Sequence, residues 1–142
     1  MRIESILVAT DLSTAEGLTV QRAWQLAETH GAAITLAYMP PAGQRAPANA
    51  GWRLANAARQ LEEALPVPVR TRVMKKASLD ELADAAQSSD LVVLPHRHER
   101  TTAAFFRGQP VVRLLRWTGT PVLVTRGMRA PHYRRILVAL DF

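Results

Sequence analysis

Apolar runs of four to eight residues alternate along the chain with stretches whose apolar residues recur at helical spacing. Ile3 to Thr10 (IESILVAT) ends in Asp11, and Ser13-x-x-Glu16 follows with the spacing of a capping box, so strand, turn and helix are predicted. Val20, Ala23, Trp24 and Ala27 share one face of that helix, and Gly31 supplies its stop. Ala33 to Met39 predicts the second strand, closed by Pro40-Pro41. The stretch from Pro40 to Gly51 holds three prolines and two glycines and reads as a flexible lid. Leu54, Ala57, Ala58, Leu61 and Leu65 then mark one face of a second helix.

Val67, Val69, Thr71 and Val73 alternate with Pro68, Arg70 and Arg72, a half-solvated pattern that belongs at a sheet edge. Ser78-x-x-Glu81 repeats the capping-box spacing ahead of Leu79, Leu82, Ala83 and Ala86. Leu91 to Leu94, like Ile6 to Ala9, is short and wholly apolar, as a central parallel strand covered on both faces must be. A basic loop runs from Pro95 to Arg107; Pro110 opens a last helix carrying Val111, Val112, Leu114 and Leu115, and Gly119 ends it. Pro121 to Thr125 (PVLVT) is the fifth strand. Strands alternating with helices give an open, doubly wound α/β sheet, Rossmann-like, with helices on both faces.

Composition narrows the function classes. The 142 residues suffice for one core, and 48% hydrophobic with 21% charged residues is globular composition. Without cysteine, disulfides, thiol catalysis and Cys-ligated zinc are excluded. No apolar run reaches bilayer length and no secretory signal is evident, so a cytoplasmic protein is expected. The net charge of +6 is unevenly placed: Val92 to Arg135 carries nine arginines against Glu99 alone, while Met1 to Leu91 nearly balances. Such a patch suits phosphate, nucleic acid or an acidic partner.

The tail Ile136-Leu137-Val138-Ala139-Leu140-Asp141 repeats Ile6-Leu7-Val8-Ala9-Thr10-Asp11. A tandem arrangement is therefore expected, with an α/β domain over residues 1–127, a linker over 128–134 and the first strand of a truncated second repeat over 135–142.

Ligands of open α/β sheets bind beyond the carboxyl ends of the strands, where connections leave toward opposite faces. The loops after strands one and four hold Asp11 and the stretch Pro95 to Gln109. ILVATDLS near the start, PVLVTR after an amphipathic helix, the element order and the renewed ILVALD together resemble the universal stress protein family, over essentially the whole chain. That resemblance implies a five-stranded sheet in the order 3-2-1-4-5, and ATP as a possible ligand. The ligand would be held by a G-x2-G-x9-G-[ST] loop between strand four and the last helix. Set on this sequence, the four positions fall on Pro95, His98, Gly108 and Gln109, and only Gly108 matches. Proline has no backbone donor and His98 adds bulk where bare backbone should approach phosphate, so the cradle is expected to be lost. Asp11 matches the family's aspartate beside the nucleoside, and Met39 the strand end whose backbone contacts adenine. The resemblance also implies a homodimer or tandem pseudo-dimer through the last strand, Val122, Leu123 and Val124, an open edge in an isolated domain.

Simpler roles compete. Asp11 has two readings, a ribose contact or a cap of the following helix. Arg97, Arg100 and Arg107 have the geometry to clasp phosphates in place of glycine backbone, against the alternative of a solvated basic loop. His96 and His98 beside Glu99 are better read as solvated than as a metal site, because a third ligand is missing. No G-x-S-x-G elbow is present and nothing supports catalysis. The sequence speaks against nucleic acid as a partner, since only Phe105 and Phe106 interleave the loop arginines and both suit core packing. The expected function is stress response through dimerisation or association with a protein partner, with ATP bound weakly or not at all; the alternative is an arginine-based nucleotide site with slow ATPase activity.

Overall fold

The computed structural model describes residues 2–41, 43–64, 66–96 and 117–126. Its elements follow as β1 (Ser5–Thr10), a 3-10 turn (Thr14–Glu16), α1 (Gly17–His30), β2 (Ala33–Tyr38), α2 (Ala50–Ala64), β3 (Val69–Val73), α3 (Leu79–Ala86), β4 (Leu91–Pro95) and β5 (Val122–Thr125). The strands form one five-stranded sheet in the order β3-β2-β1-β4-β5, every described pairing parallel.

Period-two alternation sends the two faces of each strand to separate cores. Ile6 and Val8 of β1 join Ile34, Leu36 and Leu54 in one cluster, with Ala23 and Ala27 from α1. Leu7 and Ala9 join Met39, Met74, Leu82 and Leu94 in the other, roofed by α3. Helices α1 and α2 thus cover one face and α3 the opposite one. The chain changes faces between β1 and β4, and a crevice at the carboxyl ends of those strands follows from this topology.

Several local expectations are corrected. The first capping box does not form: Ser13 makes no side-chain cap, and Glu16 reaches past it to accept the Asp11 amide at 2.6 Å. At the second, Ser78 Oγ accepts the Glu81 amide at 3.4 Å. Gly31 ends α1 at φ +64, a backbone conformation open to glycine at no steric cost. Strand β3 begins at Val69 rather than Val67, and all of it beyond Val69 is exposed. The presumed lid is tied down, because Arg45 bridges Lys76 and the Ala46 amide donates to the Lys75 carbonyl at 3.0 Å. Pro95 is the buried last residue of β4, not the start of the loop. Leu65, the basic loop from Arg97 onward, most of the predicted last helix and residues 127–142, with the expected linker and second repeat, lie outside the described residues.

At the opposite, amino ends of the strands, Asp90 Oδ2 accepts the Glu4 and Ser5 amides and the Ser5 hydroxyl, each at 2.9 Å. Ser5 Oγ in turn accepts the Asp90 amide at 3.1 Å, locking β1 to β4. The Glu4 amide and the Ser5 hydroxyl hold the Asp90 carboxyl below its ordinary value of 3.8, against a smaller opposing effect of desolvation. A depressed carboxyl stabilises the fold above its unfolded pKa, and that contribution is lost as pH falls through the folded value. Asp90→Asn is therefore expected to cost about 1 kcal/mol at neutral pH, the size of a net hydrogen-bond loss at a partly exposed site. In urea melts at descending pH, the gap to the parent chain should narrow once the carboxyl protonates below pH 3.8.

Candidate functional site

The loop after β1 is shaped by its own side chains. Thr10 Oγ1 accepts the Leu12 amide at 3.0 Å, Asp11 Oδ1 accepts the Ser13 amide at 2.8 Å, and the Glu16 carboxylate holds the Asp11 amide. Between these clasps Leu12 takes φ +59, a left-handed conformation that costs a non-glycine residue of order 1 kcal/mol. Its side chain packs against the first core. Asp11 stands half-buried at the mouth of the crevice, and one of its oxygens closes an Asx turn onto Ser13 rather than capping an amide inside the helix.

Met39 lies beside it. Thr10 pairs with Tyr38 in the β1/β2 register, which puts Asp11 and Met39 one step further along neighbouring strands. The Met39 amide is occupied by the Thr10 carbonyl at 2.9 Å, and its 1% exposed side chain belongs to the second core. The pair predicted for the nucleoside end is thus brought together at the ends of neighbouring strands. Thr10 and Leu12 were not singled out from sequence, and Glu16 only as half of a capping box; the hydroxyl closing an otherwise apolar run was the available signal for Thr10.

The far wall is built from β4 and β5. The Val92 amide donates to the Pro121 carbonyl at 2.9 Å and the His96 amide to the Thr125 carbonyl at 2.7 Å. Even-numbered amides of β4 therefore face β5, and the odd positions face β1. Pro95 occupies an odd position, where it offers β1 and the crevice no donor. The β1/β4 register runs as far as Val8↔Val93, and the next ladder bond to β1 would need the amide that Pro95 lacks. Beneath this wall the buried hydroxyls of Thr19 and Thr125 lie 2.8 Å apart, and Thr125 Oγ1 also donates to the Leu94 carbonyl at 3.2 Å. These contacts join the first turn of α1 to both strands. Arg97, His98, Arg100, Arg107, Gly108 and Gln109 lie outside the described residues.

On β5, the carbonyls of Pro121 and Thr125 face β4, so Val122 and Val124 direct their backbone groups outward. No described residue pairs with that edge. Val124 is 38% exposed, and Val122 and Leu123 are half-buried. Among the described residues no group of three His, Asp or Glu is poised to hold a metal ion. No described helix is long and apolar enough to cross a membrane.

The sequence model of the universal stress protein family matches residues 2–126. The chain belongs to the universal stress protein family. Solved structures of similar fold include a universal stress protein in complex with cAMP, at 23% identity and TM-score 0.61, covering 89% of this chain and 99% of that one. A universal stress protein from Archaeoglobus fulgidus in complex with dAMP is 16% identical at TM-score 0.59, over 87% of this chain and 98% of the other. A second protein from Archaeoglobus fulgidus DSM 4304 is 13% identical at TM-score 0.64, and the match covers 85% of this chain but 43% of that longer one. No curated protein matches the chain. Within this universal stress domain the crevice between β1 and β4 is the candidate ligand site.

Proposed function

We propose that this universal stress domain acts in stress response by association, as a homodimer or as half of a tandem pseudo-dimer, and holds ATP weakly or not at all. One observation carries the reading: Pro95 closes β4 at the crevice without a backbone donor. That is where the family's loop would begin to offer amides to phosphate. His98 and Gln109, set on two further positions of that loop, compound the loss. The nucleoside half, Asp11 and Met39, is retained, and the cAMP and dAMP complexes of related folds support an adenine nucleotide as the ligand such a crevice would take. No catalytic role is assigned to any residue. The tandem reading draws support from the longer relative from Archaeoglobus fulgidus, of which this chain spans less than half; residues 1–127 would be the domain, 128–134 the linker and 135–142 the start of the next copy. A cytoplasmic site of action accords with that reading, and a protein is a better partner than nucleic acid or membrane.

A second reading is kept by the charge of the segment from Val92 to Arg135. Arg97, Arg100 and Arg107, beside Gly108 in sequence, would hold phosphates by side chain, with slow hydrolysis of ATP as the activity. Calorimetric titration of nucleotide-free protein with Mg·ATP and with AMP separates the two. The association reading expects equal weak heats or none, because the phosphates add no contact. Saturable binding that requires the triphosphate, abolished by Arg97→Ala with Arg107→Ala, would overturn it.

The edge Val122, Leu123 and Val124 is the proposed dimer contact. Val124→Lys, which places like charges across a two-fold strand pair, is expected to raise the dimer dissociation constant at least about tenfold while leaving the melting temperature nearly unchanged. Light scattering across a dilution series reads the first and a thermal melt the second.

A further inference from the structure

The opposite edge of the sheet, β3, is open over a short and well-defined length. The Ile34 amide donates to the Pro68 carbonyl and the Met74 amide to the Tyr38 carbonyl, both at 2.9 Å. Even-numbered residues of this strand therefore bond to β2, and Val69, Thr71, Val73 and Lys75 direct their backbone groups away from the sheet. Two of these outward groups are taken. Glu62 Oε1 accepts the Val69 amide at 3.2 Å, and the Lys75 carbonyl accepts the Ala46 amide at 3.0 Å. Between these closures, Thr71 and Val73 have outward amides and carbonyls with no partner among the described residues, and both residues are exposed.

The side chains around this slot differ by face. Arg70 and Arg72 stand exposed on the α3 face. Val73, 40% exposed, stands on the other. Gly51 of α2 backs onto it, so that a Cβ there would lie 4.0 Å from Val73 Cγ2. The next residue, Trp52, is 71% exposed. No acidic residue occurs between Glu28 and Glu62 or between Glu63 and Asp80, whereas those spans hold seven arginines and lysines.

We propose that the β3 edge is a docking slot for a short extended segment of a partner protein that carries carboxylates on one face and apolar side chains on the other. The segment adds as a sixth strand through the Thr71 and Val73 backbone, sets its acidic residues against Arg70 and Arg72, and lays its apolar residues against Val73. Charge complementarity selects this occupant over a second copy of the chain, whose own Arg70 and Arg72 would meet like charges. The closures by Glu62 and Ala46 limit the slot to a few residues. The proposal rests on the association reading and supplies its partner surface, distinct from the β5 edge.

The test is a nitrogen-15 amide titration of the full chain with a capped hexapeptide of alternating Glu and Val. The Lys-Val counterpart and a single-stranded oligonucleotide serve as comparison probes. Saturable shifts and slowed hydrogen exchange at Thr71 and Val73 are expected with the acidic peptide alone. Arg70→Glu with Arg72→Glu should weaken that binding at least about tenfold and transfer preference to the Lys-Val peptide. Thr71→Pro removes the outward amide without touching the β2 ladder or the charge, and should abolish docking while the remaining amide spectrum stays folded. Absence of shifts at Thr71 and Val73, undiminished binding by a folded Thr71→Pro variant, or preference for the oligonucleotide would each overturn the proposal. Adding Mg·ATP, and AMP for comparison, to the same sample keeps the two readings apart, since saturable binding that requires the triphosphate would overturn the association reading and leave the peptide result standing.

Discussion

Leu54→Ala is expected to lower the free energy of unfolding by about 2–5 kcal/mol, the range for removing a buried leucine side chain from a well-packed core. Leu54 is fully buried, and the other buried residues of α2 are Ala50 and Ala58. It is therefore the one large side chain that α2 buries completely, and it does so against the cluster containing Leu36 and Tyr38. The alanines leave the helix close to the sheet, with little slack to collapse into the void. Single-domain stabilities of about 5–15 kcal/mol make such a loss visible as a large shift of the urea midpoint at unchanged slope. Leu18→Ala on α1, at a side chain 39% exposed, provides the contrast and should cost well under 1 kcal/mol. Equal costs for the two would contradict the assignment of the α2 core contact.

Restoring the family's loop is expected to produce the second large effect. Pro95→Gly returns a backbone donor to the end of β4, His98→Gly removes bulk, and Gln109→Ser supplies the hydroxyl, with Gly108 already in place. A single charge-assisted hydrogen bond to phosphate contributes about 1.5–3 kcal/mol, so the triple variant should bind Mg·ATP roughly ten- to a hundredfold more tightly than the parent. AMP affinity should change less, because the β- and γ-phosphates gain the contacts. The gain is expected even though Pro95→Gly loosens a buried strand end, since the Thr19 to Thr125 and Thr125 to Leu94 hydrogen bonds hold the wall from below. An unchanged ATP affinity in a folded triple variant would show that Pro95 is not what limits the site.

The fold was legible because its signals are redundant. A β1 apolar from Ile6 to Ala9, an apolar β4, an alternating β3 with proline and arginine, and amphipathic stretches between them leave few arrangements of a parallel sheet. The strand order came from the family resemblance, and the sheet bears it out. What was missed depends on contacts that spacing does not encode. Ser13 and Glu16 have capping-box spacing, yet the tight turn through Leu12 brings the Glu16 carboxylate to the Asp11 amide instead. The proline- and glycine-rich stretch after β2 reads as mobile until Arg45 is seen pairing with Lys76, a partner some thirty residues away in sequence. The basic loop was read from Pro95 onward, yet Pro95 closes β4, because its missing amide faces away from β5 and leaves the β4/β5 pairing intact through Thr125. At the site, Asp11 and Met39 were legible as strand-end residues; the clasp by Thr10 and Glu16 was not, because it depends on side-chain reach in a folded turn.

Sedimentation velocity of nucleotide-free protein over a wide concentration range, run with and without Mg·ATP, tests the central claim most directly. A concentration-dependent dimer that is indifferent to Mg·ATP is the expected result. A monomer at every concentration, or a dimer that assembles only when ATP is added, would contradict association without nucleotide.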